Sequence, residues 1–229
     1  MQNKCVHACW GQGRYVVAEA DESDGSFLRY YPRIAVITSV EADHLENYGG
    51  RAGHLVASYE AFLANIRDGG LLVISRQAYE ALRECIDRAK DRFSVIVYGV
   101  NHKNHTGDSD SRRSGGLSGD SARSTDYRAS DIRLAGSTSR FSVYHGSQLL
   151  GEARLVIPGV YNVENALAAI AVAREVGLEF DHIVDVLDSF HGAHRRFEWV
   201  GTGHGIIVYD DYAHHPTEIR KALQAARAF

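Results

Sequence analysis

The chain has 229 residues, 45% hydrophobic and 24% charged, with a formal net charge of −4. That composition is globular, long enough for one large domain or one and a half ordinary ones, and too balanced in charge to mark a nucleic-acid or anionic-membrane binder. Three scattered cysteines (Cys5, Cys9, Cys85) exclude a disulfide framework, and the longest small-apolar run, Ala166 to Ala173, is eight residues against the roughly 20 of a membrane helix.

The first ten residues, MQNKCVHACW, hold no apolar core of a secretory signal, so a cytoplasmic location is expected. Tyr15–Ala18 (YVVA) reads as a short buried strand, and Arg33–Thr38 (RIAVIT), after Pro32, as another. The period then changes. Leu55, Val56, Tyr59, Phe62, Leu63 and Ile66 fall on one helix face, which Asp68-Gly69-Gly70 stops. Leu71–Ile74 is a strand, Ala78, Leu82, Ile86 and Ala89 mark a second helix, and Phe93–Tyr98 is a further strand. Strands alternating with helices predict an α/β fold with parallel pairing and right-handed crossovers.

From Asn104 to Asp126 the chain is mostly Ser, Gly, Asp and Arg, with one large apolar residue, Leu117. Such a segment buries too little to offset its entropy and is expected to be disordered. Four Asp there offset three Arg, against a nucleic-acid tail. Strands follow near Tyr127–Leu134, Arg140–Tyr144 and Leu149–Ile157, the last two joined as an antiparallel hairpin by His145-Gly146-Ser147. Pro158-Gly159 punctuates. Val163, Leu167, Ile170 and Ala171 then lie on a helix with a small-residue face, and Ile183, Val184, Leu187 and Phe190 on another. Phe197–Val200 and Ile206–Tyr209 are strands. Pro216 suits the first turn of a last helix, with Glu218 near its positive end.

Ligands of open α/β sheets bind beyond the carboxyl ends of the parallel strands, and three such ends carry unusual residues. Glu19, Asp21, Glu22 and Asp24 place four carboxylates in six residues, where a cation would relieve repulsion; the plain alternative is a solvated acidic turn. Glu41-Ala42-Asp43-His44 follows the second strand, and His44 with Glu19 could share a divalent ion completed by phosphate oxygens. Tyr209 to Pro216 holds Asp210, Asp211, Tyr212, His214 and His215, a polar group suited to a nucleotide sugar or another anion. Its adjacent histidines lack helical zinc spacing. Upstream, Arg195-Arg196 offers a fork for phosphate, or simply an exposed basic pair. The four lysines, Lys4, Lys90, Lys103 and Lys221, fit no G-x-x-x-x-G-K-[ST] phosphate loop.

Five collinear motifs resemble the Mur ligases: VAEADESDGSFL (Val17–Leu28), TSVEADHLENY (Thr38–Tyr48), PGVYNVENALAAIAVA (Pro158–Ala173), HRRFEWVG (His194–Gly201) and DDYAHHPTE (Asp210–Glu218). They stand nearest to the branch that joins L-alanine to UDP-N-acetylmuramate; Ser23 sets them apart from the branch that recycles murein tripeptide. The resemblance implies a central ATPase domain over residues 1–192, lacking its phosphate loop, and the start of a Rossmann-like C-terminal domain over 193–229, with the nucleotide-sugar domain absent. It implies ATP and Mg²⁺ as cofactors, and amide formation through an acyl phosphate. By resemblance, Glu19 and His44 are Mg²⁺ ligands, Tyr161 stacks on adenine, and Asn162 and Asn165 read its edge. Arg196 approaches the γ-phosphate, Asp211 binds ribose, and Tyr212 and His214 face the substrate. A chain lacking these parts is also compatible with a non-catalytic remnant or a partner-dependent module. Its C-terminal 30 or so residues are expected to dock loosely, with Ile206, Ile207 and Val208 on an unpaired edge.

Overall fold

The computed structural model describes residues 11–22, 25–40, 52–100, 127–227 and 229. The core of the fold is a six-stranded sheet whose spatial order follows the chain. Its strands are β1 (Ile34–Ile37), β2 (Gly70–Ser75), β3 (Phe93–Val100), β4 (Tyr127–Ala135), β5 (Thr138–His145) and β6 (Gln148–Leu155). β1 to β4 pair in parallel; β4, β5 and β6 pair antiparallel.

Helices α1 (Ala52–Ala64) and α2 (Arg76–Ala89) connect the parallel strands and cover one face. Their apolar stripe, Leu55, Tyr59, Phe62, Leu63, Leu82 and Ile86, packs on Ala35, Ile37, Leu72, Ile74 and Val97. Helices α3 (Val160–Glu175) and α4 (Phe180–Asp188) cover the opposite face, above Val73, Ile96, Tyr98, Phe141 and Val143. β2 is buried along its whole length because both layers press on it. That explains its uninterrupted apolar run, which is typical of a strand covered on both faces. The small side chains Ala166, Ala168 and Ala171 bring α3 close to the sheet, as its composition predicted.

Local chemistry sets the boundaries. Ser75 Oγ accepts the Ala78 N–H at the start of α2. Arg92 closes the end of α1: its guanidinium donates to the carbonyls of Ala64 and Ile66 and to Asp68. Gly70 allows no side chain, since a Cβ there would lie 2.6 Å from the Arg67 carbonyl and 2.8 Å from that of Arg33. Gly136 and Gly146, both at positive φ, open two-residue turns that make β4–β5–β6 a meander. The second turn was legible in the sequence. The first was not singled out.

Tyr15–Ala18 is not a strand. Residues 11–22 adopt no regular structure, and Val16 and Val17 are 92% and 96% exposed. An apolar run becomes a strand only when a neighbouring edge accepts its hydrogen bonds, and no described strand pairs with it. The expected disordered segment 104–126 lies outside the described residues.

A second, two-stranded antiparallel sheet is formed by β7 (Glu198–Gly203) and β8 (Ile206–Asp210), followed by α5 (Pro216–Ala226). β8 is therefore paired along one edge, by β7, and among the described residues no strand pairs with its other edge. The side chains of Ile206, Ile207 and Val208 nevertheless remain exposed. Pro216 and Glu218 sit in the first turn of α5 as predicted, with a capping box around His215. The aromatic rings of Phe197, Tyr209 and Phe229 form a cluster, and Phe229 comes against the Gly136 turn. That contact seats the C-terminal elements at the end of the large sheet where α3 begins.

Candidate functional site

Helix α3 starts at Gly159, whose φ of 102° is open to glycine and strained for other residues. A Cβ there would lie 2.6 Å from the Tyr161 ring and 3.3 Å from Ala225 of α5. Glycine thus lets the Tyr161 ring and α5 close over the start of α3. Asn162 Nδ2 donates to the Pro158 carbonyl at 2.7 Å, which fixes the turn entering the helix. Asn165, one turn on, is exposed. The i, i+3 spacing puts both amides on one face.

Two further segments meet Tyr161. Burial pushes its hydroxyl pKa above the usual tyrosine value; Asp211 pushes it the same way, while Asn162 and Arg196 oppose. Asp211 holds its own surroundings in shape: one carboxylate oxygen accepts the Phe197 N–H and the other the Ala213 N–H, both at 2.8 Å. The Tyr212 N–H donates to the Arg195 carbonyl at 2.8 Å. The arms 194–198 and 210–218 are thereby tied together.

Arg195 and Phe197 adopt left-handed backbone, with φ of 57° and 50°. That conformation is uncommon for such residues and costs of order 1–3 kcal/mol each, so surrounding bonds must hold it. Both guanidinium groups lie over the Tyr212 ring, 5.0 Å from its centroid for Arg195 and 5.9 Å for Arg196. Each of the three consecutive basic side chains has its own carboxylate. His194 meets Glu198 at 2.6 Å, Arg195 meets Asp210 at 3.4 Å, and Arg196 meets Glu218 at 3.8 Å. The Arg195 N–H, and then His194, hold the Glu198 carboxyl below its usual pKa.

The structure thus ties Arg196, Asp211, Tyr212 and His214 into one group, and α5, which carries their partner Glu218, closes over the start of α3, where Tyr161, Asn162 and Asn165 stand. His214 Nδ1 lies 3.1 Å from the Tyr212 carbonyl, on the exposed side. Glu19 stands on the exposed irregular segment 11–22, and His44 lies outside the described residues. Among the described residues, no three His, Cys, Asp or Glu side chains converge to hold a metal ion. Of the two expected ligands only Glu19 is described, and one exposed carboxylate by itself is a weak Mg²⁺ site. The sequence reading overlooked Glu198 and the fit of Gly159 against Tyr161. Glu198 lay inside a quoted motif, and Gly159 had been read only as punctuation.

Residues 3–173 match the family model of the Mur ligase middle domain, and residues 195–229 that of the Mur ligase, glutamate ligase domain. The chain belongs to the Mur ligase family. This Mur ligase chain is 41% identical over 223 residues to the UDP-N-acetylmuramate–L-alanine ligase of a Geobacter species, covering 97% of this chain and 43% of that one. Against the enzyme of that name from Mycolicibacterium smegmatis the identity is 41% over 224 residues, covering 97% and 42%. It spans less than half the length of these curated relatives. Among solved structures, the UDP-N-acetylmuramate–alanine ligase MurC of Thermotoga maritima superposes with a TM-score of 0.66 at 26% identity, covering 91% of this chain and 41% of that one. MurF of Acinetobacter baumannii, at 24% identity and a TM-score of 0.67, covers 90% and 40% and shares the fold. The mostly parallel sheet with an antiparallel extension is the Mur ligase arrangement that the motifs implied. No described helix is long and apolar enough to cross a membrane.

Proposed function

We propose that this chain carries the adenine- and ribose-binding surface of an ATP-dependent acid–amino-acid ligase, joining L-alanine to the carboxylate of UDP-N-acetylmuramate in peptidoglycan synthesis. The observation that carries the reading is the packing of α5, whose Glu218 faces Arg196, over the start of α3 beside the Tyr161 ring. The identity to L-alanine ligases supports the choice of substrates.

In this reading residues 1–192 form the ATP-binding domain and 193–229 the start of the next. The Tyr161 ring packs on the flat face of adenine, and Asn162 and Asn165 donate to and accept from its edge. Asp211 accepts ribose hydroxyls with the lone pairs left by its two backbone bonds. Arg196 adds charge toward the phosphates, where a planar guanidinium can donate twice. Tyr212 and His214 line the outer, substrate side. Nucleotide supplies the phosphoryl group that activates the carboxylate when bound; the chain's residues bind and orient it. Glu19 and His44 are the proposed metal ligands, and no step is routed through the ion.

A second reading is favoured by the lack of a G-x-x-x-x-G-K-[ST] motif in the sequence. With no such backbone cradle, the chain binds nucleotide without turning it over and acts as a module of a larger assembly.

Titrating ¹⁵N-labelled chain with ATP tests the reading. Shifts are expected at Tyr161, Asn162, Asn165, Arg196 and Asp211, and Tyr161→Ala should weaken binding. An absence of shifts at these residues, or shifts confined elsewhere, would reject it. Phosphate release that depends on muramate and alanine would reject the non-catalytic module.

A further inference from the structure

We propose that Glu218 is a positioning residue for Arg196, setting the guanidinium toward the phosphate end of the nucleotide site. The inference rests on the nucleotide reading of that site.

Glu218 reaches three partners on two arms. One oxygen accepts the backbone N–H groups of His214, at 3.2 Å, and His215, at 3.5 Å. That oxygen also lies 3.6 Å from His214 Nδ1. The other oxygen faces Arg196 at 3.8 Å. The first set of bonds anchors the carboxylate at the start of α5, so the second oxygen has a fixed place. Arg195 and Arg196 share the Tyr212 ring. Two like charges near one ring repel, and each has its own carboxylate, Asp210 for Arg195 and Glu218 for Arg196.

The pair is half exposed, with 53% of the Arg196 side chain and 38% of that of Glu218 accessible, so it contributes little to stability. Capping α5 requires an acceptor oxygen, which glutamine also provides. Pairing with Arg196 uses a full negative charge, which glutamine lacks, so the two roles of Glu218 separate in Glu218→Gln.

The test compares wild type with Glu218→Gln and Glu218→Ala in the 229-residue chain. Three quantities are measured: the thermal midpoint, the Arg196 Nε–Hε signal (assigned with Arg196→Lys), and dissociation constants for adenosine and ATP. Glu218→Gln should keep the thermal midpoint near wild type while Glu218→Ala lowers it. In Glu218→Gln the Arg196 signal should shift or broaden, and ATP affinity should fall about 2–5-fold with adenosine unchanged, the scale of one exposed charge pair. An Arg196 signal coincident with wild type in Glu218→Gln overturns the proposal. So does an ATP loss that glutamine fully restores. If Arg196→Ala leaves ATP binding untouched, the phosphate role of Arg196 fails instead, and the Arg196 signal still decides whether Glu218 sets it.

Discussion

The carboxylate of Asp211 accepts the backbone N–H of Phe197 at 2.8 Å, so a residue 14 positions away holds Phe197 in its left-handed conformation. The same side chain bonds the Ala213 N–H. Asp211 thus shapes the turn that carries Arg196.

Removing that carboxylate leaves two N–H groups without their acceptor and releases the turn. Asp211→Ala should destabilise the chain by about 1–3 kcal/mol. Trypsin should cleave faster after Arg195 and Arg196 in the variant. Timed digestion with mass spectrometry checks this, and an unchanged cleavage rate would show that other contacts hold the turn.

Gly159→Ala should be more disruptive than an ordinary glycine change at a helix start. The added methyl meets the Tyr161 ring at 2.6 Å, and φ of 102° is strained for alanine. A loss of about 1–3 kcal/mol is expected, with weakened ATP binding because Tyr161 must move. Thermal unfolding and the Tyr161 NMR signals read the two effects separately.

The Glu198 carboxyl is held below its usual pKa, first by the Arg195 N–H and then by His194. A group with a depressed folded pKa supports the fold above its unfolded pKa and loses that support as pH falls through the folded value. The 194–198 turn should therefore open in acid, below the ordinary glutamate range, and Glu198→Gln should remove that pH dependence. Amide exchange of Arg195 and Phe197 across pH measures it; identical pH profiles in the two proteins would contradict the assignment.

β7 and β8 carry exposed Trp199, Val200, Ile206, Ile207 and Val208 on a sheet of two strands. Such surface invites strand-to-strand association. Ile207→Lys should raise the protein concentration at which light scattering begins, with little change in thermal midpoint, since Ile207 is already half exposed. A lowered midpoint would show that Ile207 is packed.

Sequence alone determined the alternation of strands and helices, the hairpin at Gly146, the start of α5 at Pro216, and the family, through five collinear motifs. These features are written in local periodicity, turn chemistry and residue identity. The tertiary structure decided the rest. YVVA had the composition of a strand, but a strand exists only where another edge receives its backbone bonds. Ile206–Val208 pairs with β7 along one edge, and which strand it pairs with was settled only by the fold. The carboxylates that hold His194, Arg195 and Arg196 come from Glu198, Asp210 and Glu218, and only Glu198 lies in the same short motif as these three residues. Their pairing goes with the bonds that join the two arms, from the Tyr212 N–H to the Arg195 carbonyl and from the Phe197 N–H to Asp211. Long-range contacts of this kind leave no local period, because side chains from distant segments meet only after the layers have packed.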